Sequence, residues 1–304
     1  MKLFMRPSSV TFVPASLACA AACLFSVAHA QTQEEFELQN GRRFPAESVK
    51  ATPGGFTATF TVGTSQQVLN FTAKEVARVS LREPKEVVEA RVLIASEKPD
   101  KALDSLVKVE PALLPYQSIP DSWWLRATIL RMDALSVLGK GKDAAALASS
   151  DVLSKLPPDS AALLKDFEKV VAPPSKDPTD KIDSLRNMTD RVIDPWVAAR
   201  VWLEIGNTLA TQGKMEEAIK AWLRVAVFFP AERDLAVRGT ILAARGLQQI
   251  ARAEDGIKLL EDYLSDHLAS PYKETIQTEA AKLKPKSQKT PTAEAPKEPT
   301  ETTK

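Results

Sequence analysis

The chain is short of the side chains that carry most metal-binding and nucleophilic chemistry. Its 304 residues include 2 cysteines and 2 histidines, and the formal net charge is +1. Cys19, Cys23 and His29 all fall within the first thirty residues, so residues 31–304 hold no cysteine and one histidine, His267. That excludes disulfides, thiol nucleophiles, cysteine-ligated zinc and a multi-histidine metal site from this part of the chain. A Ser-His-Asp triad would have to recruit His267, and no G-x-S-x-G turn accompanies it. Glycine is also scarce, at 11 residues, and Gly139-Lys140-Gly141-Lys142 lacks the spacing and trailing Ser/Thr of a phosphate loop. The balance of 40 basic and 39 acidic residues creates no global field towards nucleic acid, and the basic residues have no interleaved aromatics. Acidic pairs such as Glu34-Glu35, Glu216-Glu217 and Glu254-Asp255 are adjacent in sequence, unlike the opposed acid and base of a glycosidase. No cofactor, no metal and no enzyme are therefore expected.

Residues 1–30 have the pattern of a signal peptide. Lys2 and Arg6 start it, an apolar run extends from about Val10 to Val27, and Ala28-His29-Ala30 offers small residues before a cut. A membrane anchor is the competing reading, but Pro14 interrupts the run and its length is short for a span. Lipidation at Cys23 is a further alternative, weakened by the better cut site after Ala30. The expected location is the periplasm or outside the cell, with no transmembrane span after cleavage. Removing Lys2 and Arg6 from the 40 basic residues leaves 38 against 39 acidic, a formal charge of −1.

From residue 31 to 82 hydrophobicity alternates with period two. Phe56, Ala58, Phe60 and Val62 face opposite to Thr57, Thr59 and Thr61, between turns at Pro53-Gly54-Gly55 and Gly63-Thr64-Ser65. Together with Phe36–Val49, Val68–Phe71 and Val76–Leu81 this predicts a small all-β domain of four or five strands, an SH3-like barrel or a small sheet. From 83 to 281 the texture changes to successive amphipathic helices. Three are expected to start at Asp or Ser caps, at Pro120-Asp121-Ser122, Pro158-Asp159-Ser160 and Asp194-Pro195. Residues 282–304 are a Lys/Pro/Thr/Glu tail, too polar to fold by burial. The predicted class is mainly α with a small N-terminal β domain.

One helical segment has a recognisable spacing: Trp202, Ile205-Gly206 and Leu209, then Gly213, Ala218, Trp222 and finally Pro230. It resembles a tetratricopeptide repeat, a pair of antiparallel helices in which Gly206 and Ala218 are small where the helices cross and Trp202, Leu209 and Trp222 fill around them. Looser matches place Ala102, Ala146 and Gly256 at the equivalent small position of other units, with room for a degenerate unit over 158–194. For these weaker units a generic helical hairpin is equally consistent. The resemblance implies an α-solenoid whose first helices line a concave groove for a protein or peptide partner. It points to Arg131, Arg200, Asn207 and Arg245 as partner-binding residues; Arg200, Glu204 and Asn207 share one helical face. These side chains are either groove donors or plainly solvated, and the spacing alone leaves both open.

These features support two functions of different class. One is a non-enzymatic interaction scaffold of the bacterial envelope. The other is an envelope carbohydrate-binding module or hydrolase, using an exposed tryptophan among Trp123, Trp124, Trp196, Trp202 and Trp222, or a carboxylate pair.

Overall fold

The computed structural model describes residues 34–173 and 177–284. The expected signal peptide, and the tail beyond Lys284, lie outside the described residues. Six strands precede the helices: β1 (Glu35–Leu38), β2 (Arg43–Pro45), β3 (Val49–Thr52), β4 (Gly55–Val62), β5 (Ser65–Phe71) and β6 (Val76–Ser80). They form two three-stranded antiparallel sheets, ordered β2-β1-β6 and β3-β4-β5. The sequence reading of four or five strands kept Val68–Phe71 and Val76–Leu81 apart but left the stretch Phe36–Val49 undivided, where the structure has three strands. The turn at Ala46–Ser48 separates β2 from β3, and the one at Ala73–Glu75 separates β5 from β6. At the second turn Glu75 holds Thr72 through its backbone N–H at 2.8 Å and its hydroxyl at 2.9 Å.

Alternation does set the faces, because successive side chains of a strand point to opposite sides. Phe56 pairs with Phe71 and Ala58 with Leu69, bringing the apolar face of β4 and β5 inward. Val62, paired with Ser65 beside the turn of that hairpin, is exposed. Phe36, Phe44, Phe56 and Phe71 make an aromatic core, with Phe36 and Phe56 centroids 5.5 Å apart. Tyr116 and Ile119, from the loop between the second and third helices, complete it. The β core is thus closed by residues of the helical part.

The helices run α1 (Lys85–Ala95), α2 (Pro99–Leu113), α3 (Trp123–Val137), α4 (Gly141–Ala146), α5 (Ser150–Leu153), α6 (Pro158–Val171), α7 (Pro178–Thr189), α8 (Pro195–Thr211), α9 (Met215–Phe228), α10 (Arg233–Gln249), α11 (Ala253–Asp266) and α12 (Lys273–Leu283). The last runs two residues past the expected helical limit at 281, because Leu283 is buried. Of the three expected caps one forms: Asp194 accepts from the Val197 N–H of α8. Ser122 precedes α3 without capping it, and α6 starts after Pro157, which has no side-chain oxygen to offer.

Successive helices pair as hairpins, α1 with α2, α3 with α4, α8 with α9 and α10 with α11. The predicted degenerate unit is the pair α6 and α7. Inner helices also touch in sequence, α1 on α3, α3 on α6, α6 on α8 and α8 on α10. Then α10 packs against α1, so the inner helices close on themselves. The closure is apolar: Ala95 of α1 shares a buried cluster with Val237, Ile241 and Ala244 of α10. Stacked hairpins alone would leave a groove with two free ends, and this contact turns it into a cavity.

The hairpin seen in the sequence packs as its small residues require. A Cβ on Gly206 would lie 2.3 Å from the Trp222 indole nitrogen, so only glycine lets α9 come this close. Ala218 and Leu209 are buried beside it. Trp202 is half-buried under the Arg224 guanidinium, 4.3 Å from its ring centre, and exposed Pro230 comes after the end of α9. In the second unit the expected register slips by two, with Ala144 buried and Ala146 exposed. The six residues of α4 are too few for periodicity to fix a face.

Candidate functional site

The inner helices enclose a cavity of about 760 Å³. Its wall includes Ile94 and Glu97 at the end of α1, Val137 at the end of α3, and Lys140 and Lys142 on the turn into α4. Lys181 of α7, Arg200, Glu204 and Asn207 of α8, and Arg238 and Ile241 of α10 complete it. Gly141 brings the two lysines to this rim: a Cβ there would meet the Val171 carbonyl oxygen at 2.8 Å.

Five ionised side chains form one line across the wall, alternating in sign. Lys181 Nζ contacts Glu204 Oε1 at 2.5 Å, and Glu204 Oε2 accepts from Arg200 Nη1 at 3.2 Å. Arg200 Nε donates to Asp133 Oδ1 at 2.6 Å, and Asp133 Oδ2 accepts from Arg238 Nη1 at 2.5 Å. The Asp133 side chain is 0% exposed and that of Arg200 2%. Burial alone would push the Asp133 carboxyl up, but Arg238 and Arg200 together outweigh it and hold the group below the ordinary carboxylate range. Desolvation likewise works against the Arg200 charge, and Asp133 and Glu204 overcome it. Buried charges persist only when paired in this way.

Asn207 joins the line from the side. Its Oδ1 accepts from Trp222 Nε1 at 3.1 Å, and its amide nitrogen lies 3.5 Å from Glu204 Oε2. The tryptophan that packs on Gly206 therefore also orients Asn207 towards the cavity.

Of the four residues expected to bind a partner, Arg200 and Asn207 meet at this cavity. Arg131 does not line it; it pairs with Glu110 of α2. Arg245 sits at the closure, where Nη1 and Nη2 hold Glu97 at 2.5 and 3.0 Å and Nε holds Glu279 of α12 at 2.8 Å. The Arg245 hydrogen bond keeps the Glu97 carboxyl below its ordinary value. Sequence reasoning missed Asp133 and Lys181. Asp133 had a readable signal, the lone acid of α3 at helical spacing from the apolar Ile129 and Leu130, but nothing in the spacing names its partners. Lys181 had none, because the α6–α7 break hides which face of α7 turns inward.

A second cavity of about 220 Å³ lies beneath Trp123, lined by Arg91, Arg126, Trp196 and Glu232 among others. Beside it Trp196 Nε1 donates to Asp234 Oδ2 at 2.9 Å. Burial pushes Asp234 up, and the Trp196 hydrogen bond only partly offsets it. The Glu232 carboxyl is raised too, by burial and then by the Asp234 charge.

None of the five tryptophans offers a flat exposed ring. Trp124, Trp196 and Trp222 are buried; Trp123 is half-buried and donates to the Leu81 carbonyl at 2.9 Å, and Trp202 lies under Arg224. Among the described residues no group of three or more His, Asp or Glu side chains is placed to hold a metal ion, and no helix is long and apolar enough to cross a membrane. The chain matches no protein-family model and no curated protein.

Proposed function

We propose that the protein is a non-enzymatic interaction scaffold of the tetratricopeptide-repeat kind, exported across the bacterial inner membrane and cleaved after Ala30. Its inner cavity holds a segment of a protein partner. The observation that carries this reading is the convergence of α1, α3, α7, α8 and α10 on one cavity whose deepest charged side chains are already paired with one another. Such a wall is preorganised to recognise, since its buried carboxylates are already held by Arg and Lys side chains. The carbohydrate-binding alternative loses its platform, since each tryptophan is buried or covered.

A photo-crosslinking side chain in place of Val137, which lines the cavity and is partly exposed, tests the reading in the native envelope. The expected result is a discrete protein adduct at 137 and none at Lys108, exposed on the outer helix α2. No adduct at 137, or equal adducts at both, would overturn it. The mature N-terminus, expected at Gln31, checks the export step by mass spectrometry.

A further inference from the structure

The line of charges begins and ends with a cation. Lys181 and Arg238 are its two ends, Arg200 is its centre, and only Glu204 and Asp133 separate them. The wall therefore carries one positive charge more than its carboxylates balance, on side chains of which Lys181 is 9% exposed and Arg238 13%. Glu97 leaves this balance unchanged because Arg245 is bound to it in two places, and Glu279, which shares Arg245, is also paired with Lys282. Lys140 and Lys142 stand exposed on the rim, and no carboxylate lies within ion-pair distance of either among the described residues. A partly dehydrated cavity with surplus positive charge at depth and two more cations at its mouth attracts an anion strongly.

The rest of the wall is aliphatic. Ile94, Val137, Val171, Ile241 and Leu242 line the same cavity, so a bare inorganic ion would leave that surface unmet. The volume suits a short chain of residues rather than a folded surface. We infer that the cavity takes an extended acidic peptide, in which carboxylates extend the charge line beyond Lys181 or Arg238 and intervening apolar side chains cover the aliphatic wall. Carboxylates prefer Arg238 because its planar guanidinium retains N–H groups beyond those given to Asp133. The lysines at the rim act on encounter and on the flanking acidic residues. This inference rests on the scaffold reading and specifies the partner segment's chemistry.

The test uses the cleaved full chain and a fluorescein-labelled octapeptide of alternating leucine and glutamate, monitored by anisotropy. Saturable binding is expected, weakened several-fold between about 50 and 300 mM salt. A leucine/glutamine octapeptide should bind at least ten times more weakly. Lys140→Glu with Lys142→Glu, a change confined to exposed side chains, should cost about tenfold without altering the thermal midpoint. An amidated C-terminus separates a chain-end carboxylate from side-chain carboxylates: loss of binding assigns the terminal group, retention the glutamates. Equal binding of the glutamine peptide, or no binding at millimolar peptide by folded protein, would overturn the inference. So would glutarate competing as well as the peptide, which would make the ligand a small dicarboxylate. Should the Val137 adduct form equally in the double-lysine variant, the scaffold reading stands and the acidic-peptide inference fails.

Discussion

Arg200 Nε and Asp133 Oδ1 meet at 2.6 Å although 67 residues separate them in the chain. Both side chains are withdrawn from water, and the contact ties α8 to α3 at the point where Arg238 of α10 also arrives. It is the centre of the cavity wall, and most of what the fold does at that wall passes through it.

Removing the carboxylate should therefore be severe. Asp133→Leu leaves Arg200 buried with one acidic partner and Arg238 without its own, and is expected to cost about 3–5 kcal/mol by denaturant unfolding. Adding Arg200→Met should return part of that loss, since the worst uncompensated charge goes with it. A double mutant no more stable than Asp133→Leu would show that the pair is not coupled.

The same carboxylate makes a pH signature. Its folded pKa lies below the unfolded value, so its contribution is fully present above the ordinary aspartate pKa of about 4 and is lost as pH falls through the lower folded value. The stability gap between wild type and Asp133→Asn should be flat from pH 7 to about 5 and close below about 4.

Asp234 should behave in the opposite sense. Its pKa is raised in the fold, so its contribution is present below about pH 4 and lost as pH rises through the folded value. Asp234→Asn keeps an oxygen for the Trp196 N–H and removes the buried charge. It is expected to raise the unfolding midpoint at pH 7 and to leave it unchanged near pH 3.

Gly206→Ala tests the helix crossing. In an open helix interior the change would gain up to about 1 kcal/mol, but here the new methyl collides with the Trp222 indole. A net loss of about 1–3 kcal/mol is expected. Trp222→Phe shortens the ring system, so Gly206→Ala should cost less in that background.

Arg245→Ala should act locally. The pair with Glu97 is partly exposed and contributes little to global stability, on the order of 1 kcal/mol or less. Hydrogen exchange should nevertheless speed up in α12 and at the end of α1, because Arg245 holds Glu97 and Glu279 at once. Unchanged exchange in both would mean the apolar cluster around Ala95 alone closes the ring.

Local pattern determined a good deal of this protein. Period-two alternation located the strands, the loss of that period placed the helices, and the Trp202–Pro230 spacing identified one hairpin with its glycine contact. It also put Arg200, Glu204 and Asn207 on one face, since i, i+3 and i+4 positions of a helix must neighbour one another. Tertiary structure decided what that face means. The partners of Arg200 come from other helices, Asp133 from α3 and, through Glu204, Lys181 from α7. Arg131 and Arg245 carry the same side chain at comparable helical positions but are turned to Glu110 and Glu97, because an ion pair depends on which helices meet, not on spacing within one. The return of α10 onto α1 had no counterpart in the sequence either. It joins Ala95 to Val237, Ile241 and Ala244, residues so far apart in the chain that no local periodicity can pair them, and it converts a groove into a cavity.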